Sequence, residues 1–86
     1  MNFTIIEYTP SSSTYDYCDR AYSNYDPSEL IIRYYDDYED ALVGANNADP
    51  NNETTILIDG VSIEDILDYS KDEELRTMAT GLKSLL

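Results

Sequence analysis

Three short runs of β-branched and aromatic residues constrain the fold of this chain most. They lie at residues 2–8, 29–35 and 54–59. Each is typical of a β-strand, and the first ends at Pro10 and a run of serines, which break a strand. Three strands in 86 residues argue against an all-helical bundle.

The stretch between the first two strands has a helical signal. Thr14 is a candidate N-cap, and it precedes four residues spaced as one stripe of a helix: Tyr15, Cys18, Tyr22 and Tyr25. This spacing predicts a short helix over residues 15–24. Asp26 and Pro27 then break the chain before the second strand.

Capping boxes predict the remaining helices. Asp36, followed three residues later by Glu39, opens a helix that frays near Gly44. Ser62-x-x-Asp65 and Ser70-x-x-Glu73 open two more, which are equally compatible with one kinked helix. The last helix, at about residues 71–85, is amphipathic and carries no net charge.

The predicted order β-α-β-α-β-α-α indicates one small acidic domain over residues 1–86, of the α/β (α+β) class. We expect a three-stranded sheet covered by three to four helices. Consecutive strands are either parallel, with right-handed crossovers, or the first two pair antiparallel with the first helix as an excursion. A compact chain of this length has a radius of gyration near 12 Å and a diameter of about 30 Å.

The composition restricts the partners. The chain has 18 acidic residues against 5 basic ones, a net charge of −13. This charge opposes direct binding to nucleic-acid phosphates and to anionic membranes. No apolar run has the roughly 18 residues of a membrane span, and no signal peptide is recognisable. Cys18 alone forms no internal disulfide, so we expect a cytoplasmic protein in a host cell.

The sequence does not indicate an enzyme. With no histidine, histidine-based triads and metal sites are excluded. Asp49-x-Asn51-x-Glu53 matches the first ligands of an EF-hand loop, but Thr54 and Gly60 replace the glycine and glutamate that this loop requires. We therefore expect no catalytic residues, no metal and no cofactor.

Acidic residues spaced for one helix face form short negative rows. Over a diameter of about 30 Å, 18 carboxylates approach the charge density of duplex DNA. Tyrosines beside them are candidate interface anchors, although such residues more often pack at the edge of a core. The predicted partner-binding residues are Asp16, Asp19, Asp26, Tyr35, Asp36, Asp37, Tyr38, Glu39, Asp40, Glu64, Asp65, Asp68 and Asp72.

In size, acidity and tyrosine content the chain resembles the phage-encoded DNA-mimic inhibitors, among them anti-CRISPR and anti-restriction proteins. The resemblance implies a non-enzymatic inhibitor, monomeric or homodimeric, that blocks a basic nucleic-acid-binding protein such as a CRISPR effector or a restriction enzyme. One alternative is adaptation to high salt. Another is an acidic interaction module or antitoxin-like partner, which docks a helix face in a groove. That face comprises Leu75, Met78, Leu82, Leu85 and Leu86.

Overall fold

The computed structural model describes the backbone of residues 1–15 and 23–86, and the side chains of these ranges outside residues 12–26. This part of the chain forms a four-stranded antiparallel sheet, a two-stranded ribbon and three helices. In chain order the elements are β1 (Phe3–Thr9), β2 (Ser12–Tyr15), β3 (Ser23–Asp26), β4 (Glu29–Tyr35), α1 (Tyr38–Asn46), β5 (Glu53–Ile58), β6 (Val61–Ser62), α2 (Ile63–Tyr69) and α3 (Glu73–Lys83).

The sheet has the order β4-β1-β5-β6, and every neighbouring pair is antiparallel. Phe3 of β1 lies opposite Tyr35 on one side and Ile58 on the other. The α+β class is confirmed. Of the two pairings left open for the first two predicted strands, the antiparallel one is observed, and parallel pairing with a right-handed crossover is wrong. The predicted sheet of three strands was one strand short, because β6 turns back on β5.

The β5–β6 hairpin depends on two consecutive residues with positive φ. Asp59 has φ of 52° and Gly60 has φ of 83°. An Asp-Gly pair in this conformation forms the tight turn whose twist matches that of the strands on either side.

The predicted helix over residues 15–24 is wrong at both of its ends. Tyr15 ends β2 and Ser23 begins β3, and these strands pair antiparallel. Cys18 and Tyr22, from the predicted stripe, lie outside the described residues. The ribbon continues the register of β1 and β4 without a slip, since Thr9 is opposite Glu29 and Ser12 is opposite Asp26. Pairing that extends an existing ladder outweighs a helix too short to be stable alone.

Two prolines divide this long hairpin into two sheets. The shared register places Pro10 opposite Ser28 and Ser11 opposite Pro27, on adjacent rungs. Proline has no backbone N–H to donate, so regular pairing stops at these rungs and resumes beyond them.

The hairpin makes the molecule longer than a compact chain of the same number of residues. The Cα extents are 58 × 23 × 19 Å and the radius of gyration is 17.0 Å. The expected diameter of about 30 Å for a compact chain of this length is therefore wrong. A strand rises about 3.3 Å per residue, and each arm runs for 13 residues, of which 11 are paired.

The hydrophobic core lies between one face of the sheet and the helices. Phe3 and Ile5 of β1 pair with Ile58 and Ile56 of β5, and all four are buried. The helices contribute a further buried set: Ala41, Ala45, Ile63, Ile66, Ala79 and Leu82. Alanines on α1 and α3 allow close approach of their helices, so the core is thin and one-sided.

Side-chain caps define where the helices begin. Asp37, rather than the predicted Asp36, caps α1 by accepting a hydrogen bond from the Glu39 N–H. The predicted cap at Ser62 is confirmed, since its Oγ accepts from the Asp65 N–H at 3.3 Å. Asp72, rather than Ser70, caps α3. Extended backbone at Ser70 ends α2, so the last two helices are separate.

Candidate functional site

Almost all described carboxylates face solvent. Among the acidic residues whose side chains the structure describes, Glu7 is buried and the other 14 are exposed. Of the remaining three, Asp26 lies in β3, and Asp16 and Asp19 lie outside the described residues. The charge is thus displayed over the surface rather than neutralised inside the fold.

Five exposed acids lie at the end of the sheet where β4 and β5 finish, and we call this group the acidic end. Its members are Asp36, Asp37, Glu39, Asp40 and Asp59. Asn2 lies between the two sides of the group: its N–H donates to Asp59 Oδ1 at 2.7 Å, and its carbonyl accepts from the Asp59 N–H. Because neighbouring strands are about 4.8 Å apart, the backbones of Tyr35 and Ile58, which precede Asp36 and Asp59 on either side of β1, are about 10 Å apart.

The acidic end coincides with the N-terminus of α1. The partial positive charge of a helix N-terminus stabilises nearby carboxylates, which offsets part of their mutual repulsion. The Asp37 carboxylate accepts a hydrogen bond from the Glu39 N–H at 3.4 Å and so serves as the N-cap of α1. Among the described residues, no hydrogen bond or ion pair engages the side chains of Asp36, Glu39 and Asp40.

The other predicted acids form a second group on α2 and at the start of α3. Glu64 and Asp68 are one helical turn apart and share a side of α2. Glu64 and Lys83 line the same cleft. Asp72 caps α3, and its Oδ1 accepts from the Glu74 N–H at 3.1 Å.

The two tyrosines predicted as anchors pack inward. Tyr38 is half-buried, its ring centroid is 6.0 Å from that of Phe3, and its hydroxyl reaches Gly81. Tyr35 is also half-buried, with its ring against Gly44 of α1. Both rings support the acidic end from beneath rather than projecting from it.

The C-terminal helix also packs inward. Leu82 is buried, and Leu75 and Met78 pack against the core. Leu85 and Leu86 are the members of this apolar set that remain exposed. Most of the helix face that the alternative function requires for docking is therefore engaged within the domain.

The sequence did not reveal the uncovered face of the sheet, which we call the bare face. On β4 it carries Leu30, Ile32 and Tyr34, which are 61%, 45% and 77% exposed, and it continues with Ile6 and Tyr8 on β1. No described element packs over these side chains. A continuous apolar run is typical of a strand covered on both faces, so the β4 sequence gave no signal of exposure.

A partly buried ion pair lies on the opposite face of the sheet, the face that the helices cover. Arg33 Nη1 is 2.6 Å from Glu7 Oε1, and Asn52 Nδ2 donates to Glu7 Oε2 at 3.2 Å. The Glu7 side chain is 5% exposed and that of Arg33 is 44% exposed. Arg33 therefore holds the buried carboxylate and still presents part of its guanidinium at the sheet edge.

The described residues contain no group of three or more acidic, cysteine or histidine side chains arranged to hold a metal ion. In the loop that resembles the start of an EF-hand, Asp49 Oδ1 accepts from the Asn51 N–H at 2.9 Å, which is a local turn. Within the described part of the chain, no helix has the length and apolar character to cross a membrane.

Comparisons with protein-family models, curated proteins and solved structures find no match to this chain.

Proposed function

We propose that this protein is a non-enzymatic inhibitor that mimics DNA and occupies the basic surface of a nucleic-acid-binding protein. A CRISPR effector or a restriction enzyme is the class of target that the resemblance suggests. The observation that carries the proposal is the outward display of 14 described carboxylates on a chain of net charge −13. This display costs stability through self-repulsion, and its physical benefit is attraction of a basic partner.

The charge spacing supports a strand-like mimic. The long axis is 58 Å, so the 14 exposed carboxylates that the structure describes average about one per 4.1 Å. Duplex DNA carries about one phosphate per 1.7 Å of axis, and a single strand about one per 3.4 Å. The elongated shape thus lowers the charge density expected from a diameter of about 30 Å to slightly below that of one DNA strand.

Within this proposal the acidic end makes the main contact. Asp36, Glu39 and Asp40 lie on one loop and helix turn, with Asp59 across β1. Their rigid supports are the strand register and the inward-packed tyrosines. The alternative, docking through the C-terminal helix, has less support because Leu75, Met78 and Leu82 pack against or within the core.

A pull-down from a bacterial host lysate tests the proposal. Tagged protein is washed first with increasing NaCl and then, separately, with competing duplex DNA. We expect a nucleic-acid-binding protein that both washes release, because both reduce charge-based contacts. Retained proteins that resist salt and DNA alike would refute mimicry and favour an apolar contact.

A pair of matched variants assigns the contact. One neutralises Asp36, Glu39 and Asp40 as Asn, Gln and Asn, and leaves the cap at Asp37 intact. The control neutralises Glu64, Asp65 and Asp68 in the same way, with an identical change of net charge. If each exposed ion pair contributes about 0.2–1 kcal/mol, three pairs contribute about 0.6–3 kcal/mol, and the first variant binds the captured protein about 3- to 160-fold more weakly. Equal losses in both variants would show that net charge acts without a defined site.

A further inference from the structure

The outer edge of β4 has hydrogen-bonding groups that no described residue satisfies. The Asp59 N–H donates to the Asn2 carbonyl, which makes these opposed residues a hydrogen-bonded pair. Since hydrogen-bonded and non-bonded pairs alternate along an antiparallel ladder, even-numbered residues of β1 point towards β5 and odd-numbered ones towards β4. It follows from the β1–β4 register that Leu30, Ile32 and Tyr34 direct their N–H and C=O groups away from the sheet.

The sequence of this edge is complementary to itself. In an antiparallel pairing of two copies centred on Ile31, Leu30 lies opposite Ile32 of the second copy, and Glu29 lies opposite its Arg33. Residues 30 and 32 are those whose backbone groups point outward, so the register that aligns the charges also aligns the hydrogen bonds. If the two-fold axis passed through Arg33, the two copies of Arg33 would lie opposite each other. If it passed through Ile32, Glu29 would no longer lie opposite Arg33 of the second copy.

The charges at this edge are available for such a contact. Glu29 is exposed, and the Arg33 side chain is 44% exposed although one of its nitrogens holds Glu7. A guanidinium has five donors in a planar fork, so Arg33 can bind Glu7 and a second carboxylate together. On the other side of the ladder, Leu30 and Ile32 extend the bare face across both copies.

We propose that a second copy of this chain adds to the outer edge of β4, forming a two-fold dimer with an eight-stranded sheet centred on Ile31. Each molecule carries a net charge of −13, but residues 29–33, which form the contact, are mostly apolar and carry no net charge. A contact limited to one strand edge is smaller than the interfaces of stable dimers, so we expect a dissociation constant of about 10–100 µM. The inference is independent of the proposed inhibitor function, and its test requires no partner.

Sedimentation equilibrium combined with amide hydrogen exchange tests the dimer directly. Association tightens between 50 mM and 500 mM NaCl, because salt screens the repulsion between acidic bodies, whereas salt weakens binding to a basic partner. With rising protein concentration the amides of Leu30 and Ile32 become protected, while those of Ile31 and Arg33, already bonded to β1, do not change. A monomer up to about 1 mM in both salts, or protection that is independent of concentration, would overturn the proposal.

Two substitutions with the same charge change separate the contact from general repulsion. Glu29→Arg places an arginine opposite Arg33 of the second copy, and we expect the dissociation constant of the dimer to rise about tenfold or more. Asp68→Arg makes the protein less negative by the same amount as Glu29→Arg. Because Asp68 lies on α2, away from the contact, this substitution only reduces the repulsion between the two copies, and we expect tighter association. Tightening by both substitutions would refute the β4 register. Ile32→Lys gives a second test, and Val61→Lys on the opposite edge of the sheet is its control. We expect Ile32→Lys to abolish the dimer and Val61→Lys to leave it intact.

Discussion

The contact between Tyr38 and Gly81 provides a quantitative test of the packing beneath the acidic end. A Cβ added at Gly81 would overlap the Tyr38 hydroxyl, while the nearest ring carbon, Cζ, would be 3.8 Å away, an ordinary contact. The conflict thus involves one oxygen. Removing that oxygen by Tyr38→Phe makes room for the alanine methyl group.

Opposing terms of known size determine the effect of Gly81→Ala. Alanine in a helix is favoured over glycine by about 0.5–1 kcal/mol. In the wild-type background, the methyl group forces the Tyr38 ring against Phe3, and such overpacking costs about 1–3 kcal/mol. We expect net destabilisation by up to about 2 kcal/mol in wild type and stabilisation by about 0.5–1 kcal/mol in Tyr38→Phe.

The four proteins of the cycle are wild type, Gly81→Ala, Tyr38→Phe and the double variant. Their urea unfolding, monitored by circular dichroism, measures the coupling free energy between the two substitutions, which we expect to be about 1–3 kcal/mol. Gly44→Ala with Tyr35→Phe is the control cycle. There the added Cβ lies 2.6 Å from Tyr35 Cζ and 3.0 Å from its Cε2, so loss of the hydroxyl gives no relief. If Gly81→Ala changes the free energy of unfolding by the same amount in wild type and in Tyr38→Phe, within about 0.3–0.5 kcal/mol, the reasoning is refuted.

Three further predictions concern stability and are measured by the same urea unfolding. Arg33→Met leaves the buried Glu7 carboxylate with Asn52 as its described polar partner, and we expect a loss of about 1–3 kcal/mol, larger than for an exposed arginine such as Arg76. Gly60→Ala meets no steric contact, but its φ of 83° costs about 1 kcal/mol; an unchanged midpoint would contradict the turn geometry. Asp72→Ala removes the α3 cap and costs about 1 kcal/mol, whereas Asp72→Asn retains it and leaves stability nearly unchanged.

Elements with strong local signals were predictable from the sequence. The predicted strand at residues 29–35 coincides with β4 (Glu29–Tyr35), and the Ser62 cap is observed as expected. These features depend on neighbouring residues alone, on β-branched side chains in one case and a hydroxyl three residues before an N–H in the other. Local chemistry therefore sufficed for them.

Features that depend on distant pairing were not predictable. The tyrosine stripe at residues 15–24 satisfied a helical spacing, but the register inherited from β1 and β4 extends the strands to Tyr15 and Ser23. Asp59 joins the acidic end through pairing with Asn2, 57 residues away along the chain. The exposure of β4 follows from its position at the sheet edge, which the sequence of the strand does not specify.

The acidic residues divide into those that the fold uses and those that it leaves available. Glu7 holds Arg33, Asp37 and Asp72 cap helices, and Asp59 binds the N-terminal backbone at Asn2. These acids contribute to stability, so their presence alone is no evidence of a partner. Within the described part of the chain, no such role falls to the carboxylates of Asp36, Glu39 and Asp40, or to those on α2. Because exposed like charges lower stability without a compensating contact, the unused set is where selection for binding has to be sought.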